Sequence, residues 1–333
     1  MKIINNIFYE NQWKKSLSKK FFSRKSLINK KKFFYPEVNR DDIQRVILSA
    51  KSGLKINKEI NLPERQKFIY QIYEKILKNY RILARLETLE TGKNILDAQK
   101  EIIHSAKIWL YASKSLGSEN YKTVLSKHHK AIVNFEPVGI VALIIPWNFP
   151  FVVMSERLPF ILAAGNSVII KPSEYASQSL FYLMNIIKKI KYPVGVVNLI
   201  TGSGPRTGQL LIGNKDINMI SFTGSTQVGK KIMKVASNQI KRLSLELGGK
   251  NSFIVLKDAN INKTINIIID SFTGNAGQSC VSTSRLFVDN KIKKLLIKKL
   301  LEKLNKINNF KKLYGLVSTK KQLDTIRNIL KKN

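Results

Sequence analysis

The run Glu136-Pro137-Val138-Gly139-Ile140-Val141-Ala142-Leu143-Ile144-Ile145-Pro146-Trp147-Asn148-Phe149-Pro150 marks where the rhythm of the chain changes. From Pro137 onward, residues 138–145, 167–170, 196–200 and 217–222 are short apolar runs bounded by turn residues. That is the pattern of parallel strands buried on both faces. Between them, 151–164, 178–191, 205–212 and 226–236 carry helical spacing. Short strands separated by helices of this length build βαβ units, and these build a doubly wound parallel sheet, an α/β fold. Residues 242–247 close that sheet. Gly248-Gly249 then marks the passage to a second region, which starts with a strand over 252–256.

Upstream the reading is different. Residues 1–40 carry eleven Lys/Arg against only Glu10 and Glu37, with little clear periodicity. From Asp41 the spacing is helical: Ile43, Val46, Ile47 and Ala50 form one stripe, and Ile69, Ile72, Tyr73, Ile76 and Leu77 another. Local alternation between 120 and 135 predicts a strand pair. The division expected is therefore 1–40 as a basic N-terminal segment, 41–248 as one domain and 249–333 as the start of a second.

Composition narrows the class. A chain of 333 residues with 44% hydrophobic and 9% aromatic residues can bury a full core. A single cysteine excludes an intrachain disulfide and fits a reducing, cytoplasmic setting. Residues 1–10 hold no apolar stretch of signal-peptide length. The longest apolar stretch, 138–154, is broken by Pro146, Asn148 and Pro150 and is shorter than the roughly 20 residues a spanning helix needs. A soluble protein with no membrane partner is expected.

The net charge of +36, from 58 basic and 22 acidic residues, raises nucleic-acid binding as one reading. A Lys-rich solvated surface is the other, and three features favour it. The excess is mostly Lys, it is spread along the whole chain, and no aromatic platforms interleave with it. No specific nucleic-acid partner is expected.

The chemistry-bearing positions lie in the second half. Cys280 ends Phe272-Thr273-Gly274-Asn275-Ala276-Gly277-Gln278-Ser279-Cys280, where small flanks leave the sulfur reachable. A lone cysteine is most often a small buried hydrophobe, and these flanks argue otherwise. Glu246 sits in Leu245-Glu246-Leu247-Gly248-Gly249-Lys250, at the end of an apolar strand. Asn148 lies between Pro146 and Pro150, in a rigid loop that would aim its amide into the crevice at the sheet edge. A nucleophile, a carboxylate and an amide donor are the parts of a covalent acyl-transfer site. Phe222-Thr223-Gly224-Ser225-Thr226 joins a strand to a helix start, which offers free N–H groups to a pyrophosphate. Lys171-Pro172-Ser173-Glu174 also follows a strand, and Glu174 could accept from ribose hydroxyls while repelling a 2′-phosphate. Gly202-Ser203-Gly204-Pro205-Arg206-Thr207-Gly208 is a looser glycine turn and a weaker phosphate signal. No metal site is expected, because His104, His128 and His129 lack partners at ligand spacing.

In their order and spacing these motifs resemble those of the aldehyde dehydrogenase superfamily, over about 41–328 and most strongly over 136–288. The resemblance implies a Rossmann-like NAD domain followed by a catalytic domain that is incomplete here. It implies Cys280 as nucleophile, Glu246 as general base and Asn148 as oxyanion donor. Trp147, Lys171, Glu174, Gly224 and Ser225 would bind the cofactor, with NAD preferred to NADP. The substrate partner would be a small aldehyde, oxidised to a carboxylate through a thioester. Glu156 and Arg157 match a region lining the substrate tunnel, although a core or interface ion pair is the commoner role for such residues. Family members run well beyond the point where this chain stops. A shortened or split fragment without independent catalysis is therefore the alternative expectation, and a family-type homo-oligomer is doubtful. A basic nucleic-acid-binding protein is the remote one.

Overall fold

The basic segment before residue 40 is built of strands. The structure, a computed structural model, describes residues 6–29, 31–115, 121–124, 129–307 and 313–331. Strands β1 (Asn6–Tyr9) and β2 (Gln12–Lys15) form an antiparallel ribbon, and β3 (Phe21–Lys25) pairs with β4 (Lys32–Pro36). They carry little apolar periodicity because β2 and β3 hold no buried residue, so their outer faces can take the lysines.

Helices α1 (Arg40–Glu59), α2 (Leu62–Lys78), α3 (Tyr80–Thr91) and α4 (Ile95–Ser115) follow. Asn39 and Asn61 start the first two by accepting from the N–H of Asp42 and Glu64, and α3 stops at Gly92 in the left-handed conformation. The strand pair expected between 120 and 135 is β5 (Tyr121–Val124) with β6 (Lys130–Val133), an antiparallel pair apart from the main sheet. Residues 120 and 125–128 of that stretch lie outside the described residues.

The alternating region then runs β7 (Ile140–Ile144), α5 (Pro150–Ser155), α6 (Leu158–Ala163), β8 (Ser167–Lys171), α7 (Gln178–Lys189) and β9 (Val197–Leu199). It continues with α8 (Gln209–Ile212), β10 (Met219–Thr223), α9 (Thr226–Ser237) and β11 (Arg242–Glu246). The helical stretch expected over 151–164 is two helices, because Pro159 opens a new one and Arg157 leaves helical geometry before it.

Among the described residues these strands form a seven-stranded sheet in the order β11-β10-β7-β8-β9-β1-β2, parallel from β11 to β9. The chain winds from β7 outward to β9, then returns to β10 on the other side of β7. A crevice therefore opens above the C-terminal ends of β7 and β10, the place where doubly wound sheets collect ligands.

Alternation along β7 shows why both faces are covered. Val141 and Leu143 enter one core with Val168, Ile170, Trp109 and Leu183, whereas Ile140 and Ala142 enter the opposite core with Val46, Ile47, Ile220 and Ile232. A third core, around Val255, Ile265, Ile268, Ile269 and Leu296, holds the last region together. There β12 (Asn251–Val255) pairs in parallel with β13 (Thr283–Val288), covered by α10 (Ile261–Thr273) and α11 (Asn290–Asn305). A final helix spans Lys320–Leu330. Among the described residues no helix is long and apolar enough to cross a membrane.

Candidate active site

Register along the sheet brings the sequence-chosen positions to one edge. Ile144 of β7 pairs with Lys171 of β8 on one side and with Phe222 of β10 on the other. Thr223 pairs in turn with Glu246 of β11. Lys171, Thr223 and Glu246 are each the last residue of their strand, so Gly224-Ser225, Pro172–Glu174 and the Trp147-Asn148 loop all leave the sheet on the same side.

Lys171 is buried, and burial lowers the pKa of its ammonium, while Glu174 and Glu37 oppose that shift. Its Nζ donates to the Pro172 carbonyl at 3.1 Å. Ser225 caps α9 and accepts from the Val228 N–H, and Thr226 and Gln227 of the first turn are exposed. Gly224 is required where it stands: a Cβ there would lie 2.4 Å from the Phe222 ring. Its N–H donates to the Glu246 carbonyl at 3.0 Å, which ties the helix start to the end of β11.

The looser glycine turn is already engaged inside the protein. Ser203 donates to Glu37 through both its N–H and its hydroxyl, and Thr207 donates through its hydroxyl, at 3.0, 3.0 and 3.1 Å. A Cβ at Gly202 would lie 1.9 Å from Thr207 Oγ1, so this glycine serves the turn's own packing. The Ser203 N–H is thereby directed away from any phosphate.

Cys280 is exposed and follows a short 3-10 turn, Gly274–Gly277. Asn275, Ala276 and Gly277 take φ values of 52°, 55° and 73° in succession, a left-handed run that a non-glycine residue enters at a cost. The Asn148 amide donates to the Gln278 carbonyl at 2.9 Å, and the Asn275 amide donates to the Asn148 carbonyl at 3.1 Å. The turn that leads into Cys280 and the Asn148 loop are thus bonded to each other directly. The Asn251 amide donates to the Cys280 carbonyl at 2.7 Å, which fastens the same turn to β12.

Glu246 stands apart from those contacts. Its side chain is 60% exposed and pairs with Arg157, whose guanidinium Nη2 lies 3.3 Å from Oε1. Arg157 comes from the break between α5 and α6, while its neighbour Glu156 is exposed. Sequence reading singled out the pair 156–157 without finding this partner. It also missed Glu37, Asn275 and Gln278. Asn275, next to Gly274 and three positions before Gln278, was the available signal for the last two; Glu37 carried none, since its contacts depend on the fold. Among the described residues no group of three or more His, Cys, Asp or Glu side chains is placed to hold a metal, and His128 lies outside them.

A family model, that of the aldehyde dehydrogenase family, matches residues 13–333. The chain belongs to the aldehyde dehydrogenase family. The match starts inside the basic segment that the sequence reading set apart. Betaine aldehyde dehydrogenase of Bacillus subtilis is 34% identical over 277 residues, covering 81% of this chain and 56% of its own length. The structure of an NAD-dependent aldehyde dehydrogenase from Sinorhizobium meliloti superposes with a TM-score of 0.93 at 30% identity, over 98% of this chain and 68% of that one. Betaine aldehyde dehydrogenase of Staphylococcus aureus, solved in complex with NAD+, also superposes at 0.93, with 28% identity over 99% of this chain and 67% of its own. The chain therefore spans about half to two thirds of the length of these family members.

Proposed function

We propose that the chain oxidises an aldehyde to a carboxylate with NAD, using Cys280 as nucleophile, Asn148 as oxyanion donor and Glu246 as general base. Residues 41–248 would carry the cofactor and residues 249–333 the nucleophile. The observation that carries this reading is the bonding of the Cys280 turn to the Asn148 loop at the switch point of the sheet.

The residues fit NAD. The first turn of α9 presents N–H groups next to the Ser225 cap, where a helix start favours a pyrophosphate. Lys171 keeps further donors beyond its bond to Pro172. Glu174, half-buried beside it, can accept from free ribose hydroxyls and would repel a 2′-phosphate. Trp147 is half-buried in the same loop as Asn148. When bound, NAD supplies the hydride acceptor.

The Cys280 sulfur adds to the aldehyde carbon, and the carbonyl oxygen takes up negative charge. The Asn148 amide has two N–H bonds and spends one on Gln278, so the other is left for that oxygen, together with the Cys280 N–H. Loss of hydride leaves a thioester on Cys280. Glu246 takes a proton from water, the water oxygen attacks the thioester carbon, and the carboxylate departs as the thiol is restored. To reach that water the Glu246 carboxylate must leave or share Arg157.

The test is turnover of a simple aldehyde with NAD by the purified chain. Cys280→Ala should abolish it, and Asn148→Ala should lower kcat by roughly 10²–10³-fold, the usual cost of one oxyanion donor. Full activity in Cys280→Ala would remove the nucleophile assignment.

A further inference from the structure

We propose that Gln278 is a positioning residue. Its side-chain amide bolts the Cys280 turn to the distant segment 316–318 and thereby holds the turn in its left-handed shape. The inference rests on the reading of Cys280 as nucleophile, and it concerns a side chain that takes no part in the chemistry.

Gln278 is buried, and every polar atom of its amide is engaged. Nε2 donates to the Asn275 carbonyl at 2.9 Å and to the Leu316 carbonyl at 3.0 Å, while Oε1 accepts from the Ser318 N–H at 2.8 Å. One side chain therefore closes the Asn275–Gly277 turn from within and pins it to chain 38 to 40 residues later. Segment 316–318 is itself anchored. Leu316 N–H donates to the Gly92 carbonyl at 3.0 Å, and the Ser318 hydroxyl donates to the Thr91 carbonyl at 2.5 Å. Arg24 of β3 donates to the carbonyls of both Ser318 and Glu90. The Cys280 turn is thus braced, through Gln278, against the end of α3 and the N-terminal strands.

The brace has a physical task. Three consecutive left-handed residues, one of them Ala276, are held only where the surroundings over-determine them. Asn275 supplies the other half by donating to the Asn148 carbonyl at 3.1 Å. Without Gln278 the turn can relax, and the sulfur then moves relative to the Asn148 amide. A displacement of about 1 Å at a reacting group can cost about 10²-fold in rate.

The experiment compares Gln278→Met, which keeps length and loses all three bonds, with Leu296→Ala, which destabilises the third core without touching the brace. Hydrogen exchange by mass spectrometry is read peptide by peptide, and kcat and KM are measured at matched folded fraction. Gln278→Met should speed exchange in 274–281 and 315–319 together, and lower kcat about 10²-fold with KM within about threefold. Leu296→Ala should speed exchange in α10 and α11 and keep kcat. Wild-type exchange at 315–319 in Gln278→Met would overturn the proposal, as would a kcat loss no greater than in Leu296→Ala. The exchange arm needs no turnover. Cys280→Ala, which leaves the brace intact, should exchange as wild type. If that variant keeps turnover, the nucleophile assignment falls while the exchange data still decide the brace.

Discussion

Glu87 shows how far one buried side chain can govern behaviour away from the site. It is fully enclosed on α3, accepts from the Ser179 hydroxyl, and leaves Oε2 without a partner. Burial raises its pKa to about 7, with Lys93 pulling the other way and Glu101 and Glu90 adding to the rise. The folded chain therefore keeps this proton up to about pH 7, whereas the unfolded chain releases it near the ordinary value of 4.5. Between those values the native state binds more protons, so stability falls as pH rises from about 4.5 to 7. The shift corresponds to roughly 3 kcal/mol. Glu87→Gln should match wild type at pH 4.5–5 and exceed it at pH 8 in urea midpoint; an equally steep loss in the variant would contradict the assignment. Ile240 makes a second residue-scale case. It is 94% exposed, and its φ of 50° is left-handed, which a β-branched residue tolerates poorly. Ile240→Gly should stabilise the chain by up to about 1 kcal/mol in the same assay, because the left-handed strain it relieves outweighs the extra backbone freedom that glycine gives the unfolded chain.

At the scale of elements, Glu37 is the joint between the N-terminal strands and the 202–208 turn that follows β9. Its Oε1 takes three hydrogen bonds from Ser203 and Thr207, and it follows β4 directly. Bonds to a charged acceptor contribute more than neutral ones, so Glu37→Ala should cost about 2–4 kcal/mol and increase proteolytic nicking within 202–208. Unchanged nicking and an unchanged urea midpoint would show that the turn stands without it. This joint also explains what could and could not be read from sequence. The parallel strands were legible because burial on both faces leaves continuous apolar runs such as Ile140–Ile144. Helices α1 and α2 were legible through their stripes. The edge strands β2 and β3 were not, since they bury no residue and carry charges, and the break between α5 and α6 needed Pro159 to be weighed above the apolar run around it. In the site, Cys280, Glu246 and Asn148 stood out by residue type at turn positions. Arg157 and Glu37 act through partners remote in sequence, and no local pattern announces such pairs.

At the scale of the molecule, the site depends on distant parts of the chain meeting. Phe8 of β1 pairs with Leu199, Arg24 reaches Ser318, and the Asn148 loop is bonded to Gln278. The excess of lysine lies across this frame; α11 alone carries Lys291, Lys293, Lys294, Lys298, Lys299 and Lys303. Such a surface favours weak, salt-sensitive adhesion to polyanions. The central claim is that an acyl group passes through Cys280 and that Glu246 is needed to release it. Intact-mass spectrometry of Glu246→Gln, incubated with an aldehyde and NAD, tests that most directly. The account predicts one adduct per chain, on Cys280, with the mass of the aldehyde less two hydrogens, persisting in this variant and absent from Cys280→Ala. An unmodified Glu246→Gln chain, or the same adduct on Cys280→Ala, would contradict it.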